Sequence, residues 1–588
     1  MAEEDLIFGK NRHFFGGIEP SNMLTFSLGQ LFDDDNIPYI VINAILPNDT
    51  VVDDQTLCTV AGAVIRRRTD RYPDNEFDGD LIADISTSGI LNDTDVTYGL
   101  TYYYAAFPYT KQGVYNRNPA NRAEYQMEDY YYFGFDLDMT NSDPDARVTY
   151  PDEVQNTSFT PAYMDFETGV FNYGSWPNAG GKYFMPRPVA LMCDAEGNVT
   201  IPDDGYLNED DYTKDVYSTG NIDKYLSGGI DTSTVEVCPT FFNIMMQWPK
   251  IYTYREKVDG IYKFRCSDKK LGEDWDCYCN YNGDGEEIDN FYTPVYMGTT
   301  TKYWDDESSY TTILQSISGT TPDSDNTASG YITYATNNNK GIQSGWNIET
   351  FYDRCLIQDL LVLMAKSTDT QSKYGTGFTD ENNTAMIANG TMDDKGLFWG
   401  TNDGLSGVKV FGMENWWGNL ARATSGLVLS RKYSGSSAGV SQYENLLYRG
   451  LGFATYPITS KSSNNASSVD ENDYLTYSNS SGSEGRGDYL GYQPAKPRVF
   501  GYGRIPIVPT HWATTSNGSA STYECDYSNY NASFTSDTPK FLRCGASGTS
   551  FGFQNGTKAG AFAIDFGYTA SEVYGGAALS FKPADSVG

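Results

Sequence analysis

Short apolar runs separated by turn residues dominate the first 115 residues of the chain. Three such runs are IPYIVINAIL, AGAVIRRR and GLTYYYAAFPY, and turn clusters such as Pro73-Asp74-Asn75 and Asp78-Gly79 lie between them. Runs of this length, rich in β-branched and aromatic residues and bounded by Gly, Pro and Asp, are typical of strands. Their regular spacing predicts a small β-sandwich between about Asn36 and Tyr115.

Two later segments carry patterns of different kinds. KIYTYREKVDGIYKFRC places Asp259-Gly260 between two alternating arms, which predicts a β-hairpin. WNIETFYDRCLIQDLLVLMAKS repeats apolar residues at three- and four-residue spacing, which predicts a helix with one apolar stripe. The stripe consists of Ile348, Phe351, Cys355, Leu356, Leu360 and Leu363. Two Ser/Asn/Gly-rich stretches, Ser316–Asn339 and Ser460–Gly487, are expected to be exposed loops.

The chain is too long for one compact core. With 588 residues, two or three domains are expected. The Pro/Asp/Asn-rich stretch NSDPDARVTYPDEVQNTSFTP begins at Asn141, and such stretches are typical of domain boundaries. We therefore expect one domain at 1–140 and a second at 141–588.

Composition and charge narrow the possible partners. Aromatic residues make up 15% of the chain and the net charge is −36. The aromatic content argues against disorder, and the acid excess argues against nucleic acid as a partner. From Ser441 to Gly588, 12 acidic and 10 basic residues give a net charge of only −2, so nearly all of the negative charge lies before this region. We read the acidic part as a solubilising surface.

The nine cysteines and the first residues bear on location. An odd number of widely spread cysteines indicates mostly reduced thiols rather than a disulfide framework. The start MAEEDLIFGKNRHFF lacks a basic and then apolar signal sequence, and no apolar run is long enough to span a bilayer. We expect a protein made in the cytoplasm without a signal peptide, with no membrane insertion.

One strand-like segment resembles a known sandwich family. YYYAAFPY is similar to the penultimate strand of fibronectin type III-like domains. In that family a Tyr at the start of the strand forms a hydrogen bond back across a corner. The resemblance implies this role for Tyr102 or Tyr104.

Three segments further on resemble C-type-lectin-like folds of the formylglycine-generating-enzyme branch. They are the predicted helix, the block GVKVFGMENWWGNLARATSG, and the final RCGASGTSFGFQNGTKAGAFAIDFGYTASEVYGGAALSFKP. In the block, Asn415, Gly418 and Asn419 match the family, whereas Ala421-Arg422-Ala423 replaces its Trp-Glu-Trp. The ending is similar to the final strands of that branch over Arg543–Gly545, Phe551–Phe566 and Gly576–Lys582.

The resemblance extends to proteins that bind surface ligands. Variable proteins of diversity-generating retroelements and phage tail-fibre proteins share this fold, and LLVLMAKSTDTQSKYGTG is similar to such tail proteins. The implied fold is α+β: a small N-terminal sandwich of the fibronectin type III or immunoglobulin type, then a large C-type-lectin-like domain with long loop insertions. The implied location is the virion of a phage, in its tail, and the implied oligomer is a trimer.

The sequence offers few of the residue combinations that known classes of enzyme need for catalysis. The two histidines, His13 and His511, are far apart in sequence, which disfavours serine or cysteine hydrolase chemistry. Formylglycine generation needs a cysteine pair, and only Cys544 lies near the matching positions. Glycoside hydrolysis needs two carboxylates, which 77 acidic residues cannot exclude. A tail-associated glycan-degrading enzyme therefore remains an alternative, as does a purely structural tail or baseplate protein.

The candidate metal-binding motifs are incomplete, so we expect no cofactor and no metal. Cys277 and Cys279 lack a second ligand pair for zinc. The stretch from Asn280 to Gly285 resembles a calcium loop but has Phe291 at the twelfth position, and we read it as a hairpin turn. We interpret Trp416 and Trp417 as core residues.

The final segment offers the strongest candidate for a ligand-binding surface. HWATTSNGSASTYECDYSNYNASF combines aromatic and Asn residues with little but Ser, Thr and Gly between them, as antibody paratopes do. The opposing interpretation is that alternate aromatic residues face the core, as we expect of Phe562 and Ile564. The candidate ligand-binding residues are Trp512, Tyr523, Tyr527, Asn529, Tyr530, Asn531, Phe551, Phe553, Asn555, Tyr568 and Tyr574. The expected partners are a host cell-surface protein or glycan and other tail proteins.

Overall fold

The computed structural model describes most of the chain before residue 450 and several short segments after it. The described residues are 18–32, 38–97, 100–127, 130–138, 141, 143–176, 184–194, 197–208, 223–229, 240–259, 261–272, 274–282, 286–304, 306–324, 326–338, 345–379, 386–437, 440–449, 474–476, 528–529, 540–546, 559–565 and 575–583. Strands far outnumber helices among them, so the fold is rich in β-structure.

The chain divides into two compact units, one ending at Tyr130 and the other beginning at Tyr131. We expected the division after residue 140. It lies earlier because the strand Tyr132–Asp138 pairs along its whole length with Ile261–Ser267, which belongs to the second unit. A strand is held by its ladder of hydrogen bonds, and this ladder joins it to the residues that follow.

The first unit contains antiparallel sheets of three and four strands and one small hairpin. The three-stranded sheet has the order β1-β2-β7, with β1 at Thr25–Phe32, β2 at Pro38–Ile45 and β7 at Gly89–Asp93. The four-stranded sheet has the order β6-β5-β8-β9, with β5 at Val60–Arg68, β6 at Asp80–Ile85, β8 at Thr101–Thr110 and β9 at Arg122–Gln126. The hairpin joins β3 (Thr50–Val52) to β4 (Gln55–Cys58), and a 3-10 turn covers Pro119–Asn121. The three apolar runs predicted as strands correspond to β2, β5 and β8.

Both sheets of the first unit contribute to one hydrophobic cluster. Ile40 and Ile42 enter it from β2, and Ile65, Tyr102 and Tyr104 enter it from the four-stranded sheet. Side chains of a strand alternate between its two faces, so Val41 and Asn43 lie on the opposite, partly exposed side.

A tyrosine near the start of β8 forms the backward hydrogen bond that the sequence led us to expect. The backbone N–H of Thr97 donates to the hydroxyl of Tyr102 at 2.7 Å. Tyr104 has a different partner, because its hydroxyl donates to the Asp93 carboxylate at 2.7 Å. Of the two candidates, Tyr102 is therefore the one that bonds back to the preceding loop.

The second unit contains two larger sheets before residue 420, and its last strand returns to one of them. The four-stranded sheet has the order β11-β10-β18-β17, with β10 at Tyr132–Asp138, β11 at Val148–Thr149, β17 at Tyr252–Val258 and β18 at Ile261–Ser267. The six-stranded sheet has the order β15-β14-β16-β19-β32-β22, with β14 at Arg187–Cys193, β15 at Val199–Thr200, β16 at Phe241–Pro249, β19 at Asn290–Pro294, β22 at Trp346–Ile348 and β32 at Leu579–Phe581.

Smaller ladders, the remaining sheet and four helices complete the described part of this unit. The two-stranded ladders join β12 (Tyr163–Asp165) to β13 (Val170–Asn172), β20 (Thr299–Trp304) to β21 (Tyr310–Gln315), and β23 (Lys409–Val410) to β24 (Met413–Glu414). The remaining sheet is formed by seven strands: β25 (Arg422–Ser437), β26 (Val440–Arg449), β27 (Tyr474–Thr476), β28 (Ser528–Asn529), β29 (Lys540–Ala546), β30 (Ala559–Asp565) and β31 (Gly576–Ala577). Their order is β27-β26-β25-β29-β30-β28, and β31 pairs with β25. The helices are α1 (Asp223–Leu226), α2 (Ala328–Thr336), α3 (Phe351–Ala365) and α4 (Thr370–Tyr374). In the described part of the chain, none of the helices has the length and apolar character that crossing a membrane requires.

The predicted hairpin forms with the expected two-residue turn. Val258 pairs with Ile261, so two residues separate the paired strands, and the first of them, Asp259, is described. Asp259 has a φ of 51°, in the left-handed region that Asp and Asn tolerate better than most residues. The prediction is confirmed.

The predicted helix is shorter than its pattern and is buried all round. It begins at Phe351, where the side chain of Thr350 accepts the N–H of Asp353, and it ends at Ala365 before Lys366 at a φ of 50°. Ile348, counted in the apolar stripe, lies in β22 instead. The described side chains from Tyr352 to Ala365 are all buried, so the prediction of a single apolar stripe was wrong.

The segment Ser316–Asn339 was also predicted wrongly as an exposed loop. It contains α2, whose first turn is capped by Thr327, and it buries Ser316, Tyr331 and Asn338. The Asn338 side-chain amide donates to the Leu314 carbonyl at 2.9 Å, which satisfies part of its hydrogen-bonding capacity within the protein.

Candidate functional site

The predicted ligand-binding surface falls almost entirely outside the described residues. Of its members only Asn529 is described, through its backbone, which pairs in parallel with Asp565. The other predicted ligand-binding residues lie outside the described part of the chain: Trp512, Tyr523, Tyr527, Tyr530, Asn531, Phe551, Phe553, Asn555, Tyr568 and Tyr574. His13, His511 and the side chains of Phe562 and Ile564 lie outside it as well.

The predicted ligand-binding residues lie in the part of the chain from Arg422 to Ala577, here called the C-terminal segment. Its two ends are described, and they lie side by side. Arg422 and Ala423 pair in parallel with Gly576 and Ala577, and the N–H of Gly576 donates to the Ala421 carbonyl at 2.8 Å. The chain then continues into β32, which pairs with β19 on one side and with β22 on the other. Both ends of the segment are thus fixed to buried strands.

Buried charges lie at this anchoring point. The Glu349 carboxylate accepts one bond from the Arg354 guanidinium at 3.0 Å and one from the Trp416 indole N–H at 3.1 Å. The Arg354 guanidinium carbon lies 4.0 Å from the centre of the Trp416 ring, which adds a cation–π contact. Arg422 donates to the carbonyls of Glu414 and Asn415 at 2.7 and 3.0 Å. Arg422 also lies 3.7 Å from the Glu349 carboxylate, so the strand that leads into the segment is linked through Glu349 to Arg354 of helix α3.

The block around Trp416, which the resemblance singled out, forms a tight turn in contact with Arg422. Asn415, Gly418 and Asn419 have φ values of 50°, 74° and 55°, in the left-handed region where Asn and Gly are favoured. The Asn419 side chain exchanges two hydrogen bonds of 3.0 Å with the backbone of Ile387. Because Trp416 and Trp417 are fully buried, the interpretation of this block as core is confirmed.

A second ion pair joins Lys582, which directly follows strand β32, to Asp353 in the first turn of helix α3. The Lys582 ammonium donates to the Asp353 carboxylate at 2.9 Å and to the Cys279 carbonyl at 2.6 Å. Ser580 donates to the other oxygen of Asp353 at 3.3 Å. Both charges of the pair are fully buried, so each depends on the other for compensation.

The free thiols of Cys277 and Cys279 are buried side chains of the core. Burial raises the pKa of Cys277 to about 12 and the pKa of Cys279 well above its ordinary value. A thiol needs its thiolate form to act as a nucleophile or metal ligand. Within the described part of the chain, no group of three or more His, Cys, Asp and Glu side chains is placed to hold a metal ion. Both thiols therefore act as packed side chains.

Glu414, which precedes Asn415 in the block, is a buried titratable carboxyl group. Its two oxygens accept the N–H groups of Gly390 and Met392 at 2.8 and 3.0 Å. Burial raises its pKa to about 7, and the nearby Asp393 carboxylate acts in the same direction; Lys409 and the two backbone bonds act in the opposite direction. The group consequently changes charge within the physiological range.

The structure also presents an aromatic pair that the sequence interpretation missed, formed by an exposed tyrosine and a half-buried tryptophan. On the outward face of the β20–β21 hairpin, the rings of Trp304 and Tyr310 have centroids 5.3 Å apart, and the Lys302 ammonium lies 4.2 Å from the centre of the Tyr310 ring. The alternation in TTTKYW and YTTILQ, on either side of an acidic turn, was the signal that could have revealed it.

Comparison with known proteins gives no relative. No protein-family description matches the chain, and neither a curated protein nor a solved structure is significantly similar to it.

Proposed function

We propose that this chain is a phage tail protein that binds a host-surface ligand through its C-terminal segment. The proposal gives no bond-forming or bond-breaking role to the protein. Its mechanism is contact by rigid aromatic rings and adaptable Asn, Ser and Thr side chains, which together supply contact area and hydrogen bonds. The ligand is a protein or glycan of the host cell surface.

The observation that carries the proposal is the anchoring of the C-terminal segment. Its two ends pair with each other at Arg422 and Gly576, and Arg422 lies 3.7 Å from the buried Glu349, which binds Arg354 and Trp416. Binding residues are commonly placed on irregular segments that a rigid scaffold positions, because the scaffold fixes their location while the segment varies. The described core supplies such a scaffold.

We propose that the two units have different functions. We propose that the first is a fibronectin type III-like sandwich that attaches or spaces the second; its two sheets share one core, and the Tyr102–Thr97 bond agrees with that family. We propose that the second is a C-type-lectin-like domain. In its favour, the turn at Asn415, Gly418 and Asn419 uses the residues that the resemblance singled out.

The proposed assembly is a trimer in contact with other tail proteins. Several copies on one virion would raise the overall strength of attachment without tight binding at each site. A mass in solution equal to one subunit would contradict the trimer, without bearing on ligand binding.

The decisive experiment compares binding to candidate host cells by the full chain and by the variant Tyr527→Ala/Tyr530→Ala/Phe553→Ala. We expect the variant to lose binding while its circular dichroism and melting stay unchanged. The control variant Phe77→Ala/Tyr163→Ala/Leu405→Ala shortens exposed apolar side chains elsewhere and should bind as the parent does.

Two outcomes would contradict the proposal. Equal binding by both variants would place the site outside the C-terminal segment. Absence of binding to any host cell, together with release of reducing sugar from cell walls, would favour a glycan-degrading enzyme instead.

A further inference from the structure

The β20–β21 hairpin presents a polar aromatic surface to solvent. Because Trp304 pairs with Tyr310 and Lys302 pairs with Thr312, all four side chains lie on the same face. The Tyr310 side chain is 46% exposed, and Lys302 is exposed as well. Two rings, an ammonium group and a hydroxyl are thereby brought together within a few residues.

The opposite face of the hairpin is firmly packed. Tyr303 and Ile313 are buried in a hydrophobic cluster with the six-stranded sheet. Thr301 donates a hydrogen bond to the Gln315 side chain on the same inner face. Because the inner face is fixed in this way, the outward rings cannot turn into the core and are held in position for a ligand.

The turn of the hairpin is fixed through Asp306. Its carboxylate accepts the N–H groups of Ser308 and Ser309 at 2.7 and 2.8 Å and both of their hydroxyls at 2.7 Å. These bonds hold the pKa of Asp306 well below its usual range, so its negative charge stays at the turn. Glu307 beside it adds a second exposed carboxylate.

We propose that the face formed by Lys302, Trp304, Tyr310 and Thr312 binds a neutral saccharide. The apolar C–H face of a sugar ring packs against aromatic rings, and its hydroxyls can accept from an ammonium and exchange bonds with a phenol and a threonine hydroxyl. A neutral ligand is favoured over an anionic one, because Asp306 and Glu307 flank the face and the chain carries a net charge of −36.

This site is separate from the one proposed for the C-terminal segment. It needs no residue after Gln315, and it would add a second contact with a glycan-covered surface. Either site can therefore fail its test while the other stands.

A structural role for the same residues makes a different prediction. A cross-strand pair of aromatic rings stabilises a hairpin only modestly. If that were the whole role, substitution of Trp304 would shift thermal melting and leave sugar binding unaffected. Binding and melting must therefore be measured on the same variants.

The experiment measures retention of the full-length chain on immobilised maltotetraose, chitotetraose and mannan, with polygalacturonate as the anionic comparison. We expect retention on at least one neutral probe, weakened about tenfold by Trp304→Ala and by Tyr310→Ala. Tyr163→Ala is the matched control, because this tyrosine of the same unit is 44% exposed and lies in β12. It should bind as the parent does.

Three results would overturn the proposal. They are retention on none of the neutral probes, equal retention by the Trp304 and Tyr310 variants and the parent, and stronger retention on polygalacturonate. The variant Tyr527→Ala/Tyr530→Ala/Phe553→Ala should keep its retention on the neutral probe. Loss of sugar binding in that variant would assign the sugar to the C-terminal segment and likewise overturn the proposal.

Discussion

At the scale of single residues, several buried charges in the second unit are compensated by a buried partner. Glu349 meets Arg354 and Trp416, Asp353 meets Lys582, and Asp359 meets Arg255 at 2.5 Å. Removing one member of such a pair leaves the other charge without compensation in a region of low dielectric, which is more costly than never burying either.

Neutralising Glu349 should therefore destabilise the second unit strongly. Glu349→Gln keeps the shape but leaves the buried Arg354 without its carboxylate, and we expect a loss of about 3–5 kcal/mol in the free energy of unfolding. The midpoint of urea unfolding measures it. Asp145→Asn, which removes the exposed partner of Lys373, is the control and should cost less than about 1 kcal/mol. Similar losses in both variants would contradict the argument.

The raised pKa of Glu414 predicts a specific dependence of stability on pH. Its pKa is about 7 in the folded chain and near 4.5 in the unfolded chain, so the folded state binds more protons between these values. The contribution of this group to stability is therefore fully present below pH 4.5 and is lost as pH rises through 7.

The variant Glu414→Gln tests this dependence. Its amide nitrogen cannot accept one of the two backbone N–H groups, so the variant is less stable than the parent at every pH. Because only the parent titrates, we expect the difference in unfolding free energy to be largest below pH 4.5 and smallest above pH 7. A difference that does not change between pH 4.5 and 7.5 would contradict the raised pKa; Asp394→Asn, at an exposed position, serves as the control.

At the scale of elements, the sequence pattern predicted correctly those strands and turns whose formation depends mainly on neighbouring residues. The runs that became β2, β5 and β8 and the Asp259-Gly260 hairpin follow from alternation and turn chemistry. Helix α3 was predicted only in part. Its polar residues Asp353, Arg354 and Asp359 look solvent-facing in the sequence, but they are buried because each has a partner outside the helix, namely Lys582, Glu349 and Arg255. No periodicity reveals such partners.

The hairpin turn supports a test on one element. Asp259 has a φ of 51°, which a β-branched residue adopts only with strain. We expect Asp259→Val to lower the free energy of unfolding by about 1–2 kcal/mol, whereas Asp259→Asn should be nearly neutral. Chemical denaturation of the two variants beside the parent measures this, and equal stability of the Val and Asn variants would contradict it.

At the scale of the whole molecule, the sequence placed the division of the chain within ten residues but could not place the candidate site in the fold. The boundary moved because pairing of Tyr132–Asp138 with Ile261–Ser267 joins segments far apart in sequence. The aromatic and Asn-rich composition of the C-terminal segment indicates a binding surface, yet composition does not say which side chains face outward. That requires the register of its strands.

The two compact units lead to a prediction about folding. Residues 18–130 contain both sheets of the first core, so this fragment should fold alone and unfold in one cooperative transition. Calorimetry of the fragment measures it. A shorter fragment, 18–100, lacks β8 and β9 and should show no transition. A missing transition in the longer fragment would mean that the first unit depends on the second for its stability.

The parallel pairing of Arg422 with Gly576 also bears on how this protein can evolve. Paired strands are about 4.8 Å apart, so the intervening chain leaves and rejoins the core at nearly the same point. The entropy of closing such an excursion grows only slowly with its length. We therefore expect this part of the chain to tolerate insertions and deletions that spare its paired strands and the buried Ala561, so the two regions can diverge at different rates.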